Sequence, residues 1–124
     1  MAEHAWILGI HMTKFGKHPD KDALDLASEA TRSAIADAGV SMKDIGILTF
    51  GNLLGGAGMG QVLQKQIGQT GIPVYNVSNA CATGATALRV AVMAIKVHRR
   101  SSWPLRTNLQ DIDALPSRAS MSYC

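Results

Sequence analysis

Aromatic residues make up only 5% of the 124 residues, and cysteine is scarcer still, with two in the chain. Two cysteines cannot build a disulfide framework, and one of them, Cys124, is the final residue. Free thiols in a reducing compartment are therefore expected, and with them a cytoplasmic protein. The opening Met1-Ala2-Glu3-His4 lacks the basic segment and long apolar core of a secretory leader. The net charge of +3 contains no block of like charge, so no nucleic-acid partner is expected. His4, His11, His18 and His98 show no metal-ligand spacing, which leaves no candidate metal site. Residues 45–64 carry no charge and are long enough to cross a bilayer. Their glycines 46, 51, 55, 56, 58 and 60, together with Asn52, argue against a membrane helix.

What is present suits a small domain, with 47% hydrophobic residues. Trp6-Ile7-Leu8-Gly9-Ile10 is a short apolar run that predicts a buried strand. Residues 22–38 have helical periodicity, with Leu24, Ala27, Thr31, Ala34, Ile35 and Ala38 on one face. Asp20 or Asp22 supplies the cap, and Gly39 the stop. A capped turn at Ser41-Met42-Lys43-Asp44 precedes a second predicted strand over 45–50 and a glycine-rich loop over 51–60. A helix over 61–69, a strand over 72–77 and a last helix over 81–96 follow. Alternating strands and helices predict an α/β layer with parallel pairing. The last helix is apolar on nearly every face, which requires enclosure that three strands and two helices cannot provide. From residue 98 neither period persists. The tail over 98–124 is expected to be irregular, with one weak helical stretch over 109–115.

Cys81 is the residue most suggestive of chemistry. It follows a predicted strand and Ser78-Asn79, and so belongs in the first turn of the last helix. Unpaired N–H groups and the positive end of the helix dipole favour a thiolate there and can donate to a developing oxyanion. Position alone leaves a second reading open, a small buried cysteine filling a helix–strand gap. Gly56-Ala57-Gly58-Met59-Gly60 is only superficially a dinucleotide loop, since Gln61 stands where the third glycine belongs. No acidic residue occurs from Ile45 to Gln110, whereas Lys65, Arg89, Lys96, Arg99, Arg100 and Arg106 do. That field would suit an anionic ligand, though such a field is more often a solvated basic surface.

The segment Val77-Ser78-Asn79-Ala80-Cys81-Ala82-Thr83-Gly84-Ala85-Thr86-Ala87-Leu88 resembles the nucleophile segment of the thiolases. The likeness is to the sterol-carrier-protein and archaeal acetyl-CoA acetyltransferase branch in particular. Gly9-Ile10-His11-Met12-Thr13-Lys14-Phe15-Gly16 resembles that family's first strand and turn. Asp25-Leu26-Ala27-Ser28-Glu29-Ala30 with Asp37-Ala38-Gly39-Val40 resembles its first helix, and Gly51-Asn52 through Gly60-Gln61 its glycine-rich loop. The resemblance implies the N-terminal part of the layered thiolase fold over 1–97, followed by a non-family tail over 98–124. It implies an acyl-CoA acyltransferase in which Cys81 accepts the acyl group, the CoA thioester being substrate and no cofactor being needed. A homo-oligomer, or a partner supplying the other half of the fold, is implied with it.

Departures from the family pattern are equally specific. The Gly-His-Pro and Cys-x-Gly motifs, which in thiolases carry the activating histidine and the second cysteine, do not occur. After Lys96 the chain reads Val97-His98-Arg99-Arg100 instead of continuing into another strand. The resemblance thus implies a truncated chain whose cysteine is acylated slowly, without turnover. A non-catalytic interaction module and a decayed gene product are the alternatives.

Overall fold

The structure, a computed structural model, describes residues 4–68, 70–98 and 120–122. Helix α1, Ala23–Ala38, begins where the sequence signals it. Asp22 accepts from the Asp25 backbone N–H while the Asp25 carboxylate accepts from that of Asp22, a reciprocal cap. Gly39 ends it in the left-handed conformation, φ 65°. A short 3₁₀ turn, Met42–Asp44, occupies the predicted capped turn. Strand β1, Leu48–Gly51, is followed by α2, Met59–Ile67, β2, Val74–Val77, and α3, Thr83–His98. Of the tail expected to be irregular, the described part, Ser120–Ser122, forms strand β3. The weak helical stretch over 109–115 lies outside the described residues.

The sheet order is β2-β1-β3, with both pairings parallel. Side chains alternate across a strand, and β1 uses both of its faces. Leu48 and Phe50 pack with Ala27 of α1 and with Leu63 and Ile67 of α2, all buried. On the opposite face Gly51 lies against Thr83 of α3. The sheet is thus sandwiched between α1/α2 and α3, and β1 is covered on both faces as a central parallel strand requires. Arg32 ties α1 to α2 by donating to the Gln66 carbonyl, and Ser28 donates to the Gln66 side chain.

Residues 6–10 do not form the predicted strand. Both edges of β1 are taken, by β2 and β3, and the run lies along α1 instead. The Ile10 N–H donates to the Asp37 carboxylate at 2.9 Å. Gly9 sits so close to the helix that a Cβ there would be 2.3 Å from the Ala34 carbonyl oxygen. This placement leaves Trp6 62% and Ile10 70% exposed.

The expected enclosure of the last helix is also absent among the described residues. Ala87 and Ala91 of α3 are buried, but Met93 and Val97 are exposed. The window Ala80–Val97, with mean hydropathy 1.4, passes for a membrane span by length and composition, and 17% of it is buried. Its helical part packs on β1 and β2, which accounts for the apolar face that holds Ala87 and Ala91 and not for Met93 and Val97.

Truncation of the fully buried Leu63 to Ala should lower stability by about 2–5 kcal/mol through lost transfer energy and a cavity. A drop in the urea midpoint at unchanged slope checks this. On the exposed face of α1, the Lys21 ammonium donates to Glu29 at 2.6 Å. That hydrogen bond holds the Glu29 carboxyl below its ordinary range and raises Lys21. The Glu29 contribution to stability is therefore present above the ordinary glutamate value and lost as pH falls through the lowered one. An NMR titration should find Glu29 low, and shifted back toward its ordinary value in Lys21→Met.

Candidate functional site

Two strand ends and one helix start converge around Cys81. Strand β2 stops at Val77, and the chain turns through Ser78–Ala82 before α3 begins at Thr83. Cys81 therefore lies two residues ahead of the helix, and not within its first turn as the sequence suggested. The helix is displaced because Ala80 takes a left-handed conformation, φ 44°. For an alanine that conformation costs roughly 1–2 kcal/mol, and it persists only where neighbouring bonds hold it.

Those bonds come from two threonines of α3. The Thr83 hydroxyl accepts from the Asn79 backbone N–H at 2.8 Å and donates to the Ala80 carbonyl at 2.7 Å. The Thr86 hydroxyl accepts from the Asn79 side-chain amide at 3.0 Å and donates to the Ala82 carbonyl at 3.0 Å. Backbone bonds from Ala82 to Asn79 at 2.9 Å and from Thr83 to Ala80 at 3.2 Å close the turn. The expected Ser78-Asn79 cap is replaced by this arrangement, in which helix side chains reach back to the turn. Neither threonine was singled out from the sequence for a role at the site. Their i and i+3 placement beside the cysteine was the available signal.

Cys81 is a free, exposed thiol, which rules against the buried gap-filling alternative. The glycine-rich loop that follows β1 is organised by asparagines. Asn52 accepts from the Gly55 N–H at 2.9 Å, and its own backbone N–H donates to Val77 at 3.1 Å, tying the loop to the end of β2. Asn76 accepts from the Gly60 N–H at 2.8 Å and donates to the Gln61 side chain at 2.7 Å. The loop's amides at Gly55 and Gly60 are thus spent on side chains of the protein itself, which fits packing and not a dinucleotide cradle. No group of three or more His, Cys, Asp or Glu suited to a metal occurs among the described residues.

An exposed thiol, held on a braced turn between a parallel strand and a helix, can act as a nucleophile toward an electrophilic carbonyl. Comparison with known proteins gives that geometry a lineage. Residues 5–102 match the family profile described as thiolase, N-terminal domain. The chain is 33% identical over 125 residues to Sterol carrier protein 2 of Bos taurus, covering 90% of this chain and 23% of that protein. It is 36% identical over 94 residues to Acetyl-CoA acetyltransferase of Methanothermobacter thermautotrophicus, covering 72% of this chain and 24% of the relative. It thus spans about a quarter of the length of either. Among solved structures, 3-oxoacyl-[acyl-carrier-protein] synthase III from Aquifex aeolicus superposes with a TM-score of 0.56. That match, at 19% identity, covers 64% of this chain and 27% of the other, and establishes likeness of fold.

An exposed thiol on a folded turn should react without denaturant. In a Cys124→Ser background, one thiol per chain should titrate with Ellman's reagent in native buffer, and none in Cys81→Ser/Cys124→Ser. A thiol that titrates only in urea would contradict the described exposure.

Proposed function

The chain belongs to the thiolase family through its N-terminal domain, and from that premise we propose that it is an acyl-CoA acyltransferase segment in which Cys81 accepts the acyl group. The reading is of the acetyl-CoA acetyltransferase or 3-ketoacyl-CoA thiolase type. The observation that carries it is the free, exposed Cys81 thiol on the strained turn between β2 and α3. The Cys81 sulfur attacks the thioester carbonyl carbon of acyl-CoA, forming a tetrahedral adduct. Collapse breaks the bond to the CoA sulfur, which leaves with the proton that Cys81 gives up. The product is an acyl-cysteine thioester, still activated because thiolate remains a good leaving group. The CoA thioester is substrate, and no metal or cofactor takes part in the step.

The motifs that the family resemblance assigns to the rest of the cycle, Gly-His-Pro and Cys-x-Gly, do not occur in these 124 residues. The proposal is accordingly confined to acyl transfer onto Cys81. A cytoplasmic setting, where the thiol stays reduced, belongs to the same reading. A second reading, a non-catalytic module that pairs with another copy or with a chain bearing the remaining layers, is favoured by a different observation. Met93 and Val97 on α3 and Trp6 and Ile10 beside α1 are large apolar side chains open to solvent.

Incubation with acetyl-CoA followed by intact mass measurement should show one acetyl group added, and none in Cys81→Ser. Absence of the adduct from the unsubstituted chain would overturn the acyl-cysteine reading. Stable association with a full-length relative would then favour the module.

A further inference from the structure

We propose that Thr83 is a positioning residue, whose hydroxyl holds the turn that presents Cys81 for acyl transfer. The proposal rests on the acyl-cysteine reading for its chemical consequence, and on hydrogen bonding for its structural one. Three threonines are buried among the described residues: Thr31, Thr49 and Thr83. The hydroxyls of the first two have no hydrogen-bond partner. That of Thr83 is fully committed, accepting from the Asn79 N–H at 2.8 Å and donating to the Ala80 carbonyl at 2.7 Å.

Those two groups flank the Asn79–Ala80 peptide, immediately before Cys81. The Ala82 N–H also donates to the Asn79 carbonyl at 2.9 Å, so the turn is closed around the left-handed Ala80. The methyl of Thr83 fixes the direction of its hydroxyl. A Cβ built on Gly51 would lie 2.9 Å from Thr83 Cγ2, which places the threonine directly against the end of β1. With 8% of its surface exposed, Thr83 has little water to compete for its bonds. The hydroxyl therefore links the end of the central strand to the conformation of the residue preceding the thiol. Loss of that link leaves Ala80 free to relax into the ordinary right-handed or extended regions and carries Cys81 with it.

Three variants separate this role from bulk stability. Thr83→Val keeps the branched shape and the contact with Gly51 but removes the hydroxyl. Thr83→Ser keeps the hydroxyl, and Thr83→Ala serves if the valine variant loses its far-UV circular dichroism. Hydrogen exchange at the Asn79 amide should be faster in Thr83→Val and restored in Thr83→Ser. The saturating rate of Cys81 acylation by acetyl-CoA should fall roughly 10–100-fold in Thr83→Val, since small misplacements of a reacting group cost that much. The acetyl-CoA concentration giving half that rate should not change, and serine should recover most of the rate. Unaltered Asn79 exchange in folded Thr83→Val or Thr83→Ala overturns the proposal, as does unaltered acylation in those variants. A wild-type chain that is not acylated at all defeats the acyl-cysteine reading instead, and the exchange measurement still decides whether Thr83 holds the turn.

Discussion

The approach of Thr83 to Gly51 is closer than any side chain on the strand would allow, and it sets where α3 lies on the sheet. From that contact follow the seating of the helix on β1, the direction of the Thr83 hydroxyl and the path of the five residues that join β2 to α3. Glycine at position 51 is therefore a packing requirement of this helix–sheet approach. The opposite face of the same strand is filled by Leu48 and Phe50 against α1 and α2. A strand tied on both faces moves little, and so it can serve as the reference against which the thiol is held.

The turn itself combines cost and compensation. A left-handed alanine is unfavourable, and four side-chain bonds from Asn79, Thr83 and Thr86 surround it. Strain of this kind concentrates where a chain must aim one group. Here the residue after it is an exposed cysteine. The match to the thiolase N-terminal domain sets the turn in that family, while the likeness to a ketoacyl synthase structure extends to the fold.

Legibility varied with how local the controlling interaction is. Helix α1 was readable to within a residue of its start because Asp22, Asp25 and Gly39 act on their immediate neighbours. Helices α2 and α3 were displaced by two residues in opposite directions. The first starts early on the left-handed Gly58, and the second starts late because Ala80 turns the chain before it. The apolar run at residues 6–10 has strand composition, yet it lies along α1 while β3 occupies the remaining edge of β1. Composition records burial preference, and edge availability is a property of the whole sheet.

The succession from α1 to α3, the parallel α/β class and the singling out of Cys81 followed from the amino-acid sequence, because caps, apolar spacing and a family-like cysteine segment are encoded over a few adjacent residues. Which strand stands at the centre, which run is left outside the sheet and which threonine braces the thiol were decided in three dimensions. Those outcomes depend on competition for the two edges of β1 and on a contact between residues 51 and 83, groups that meet only once the layers have closed.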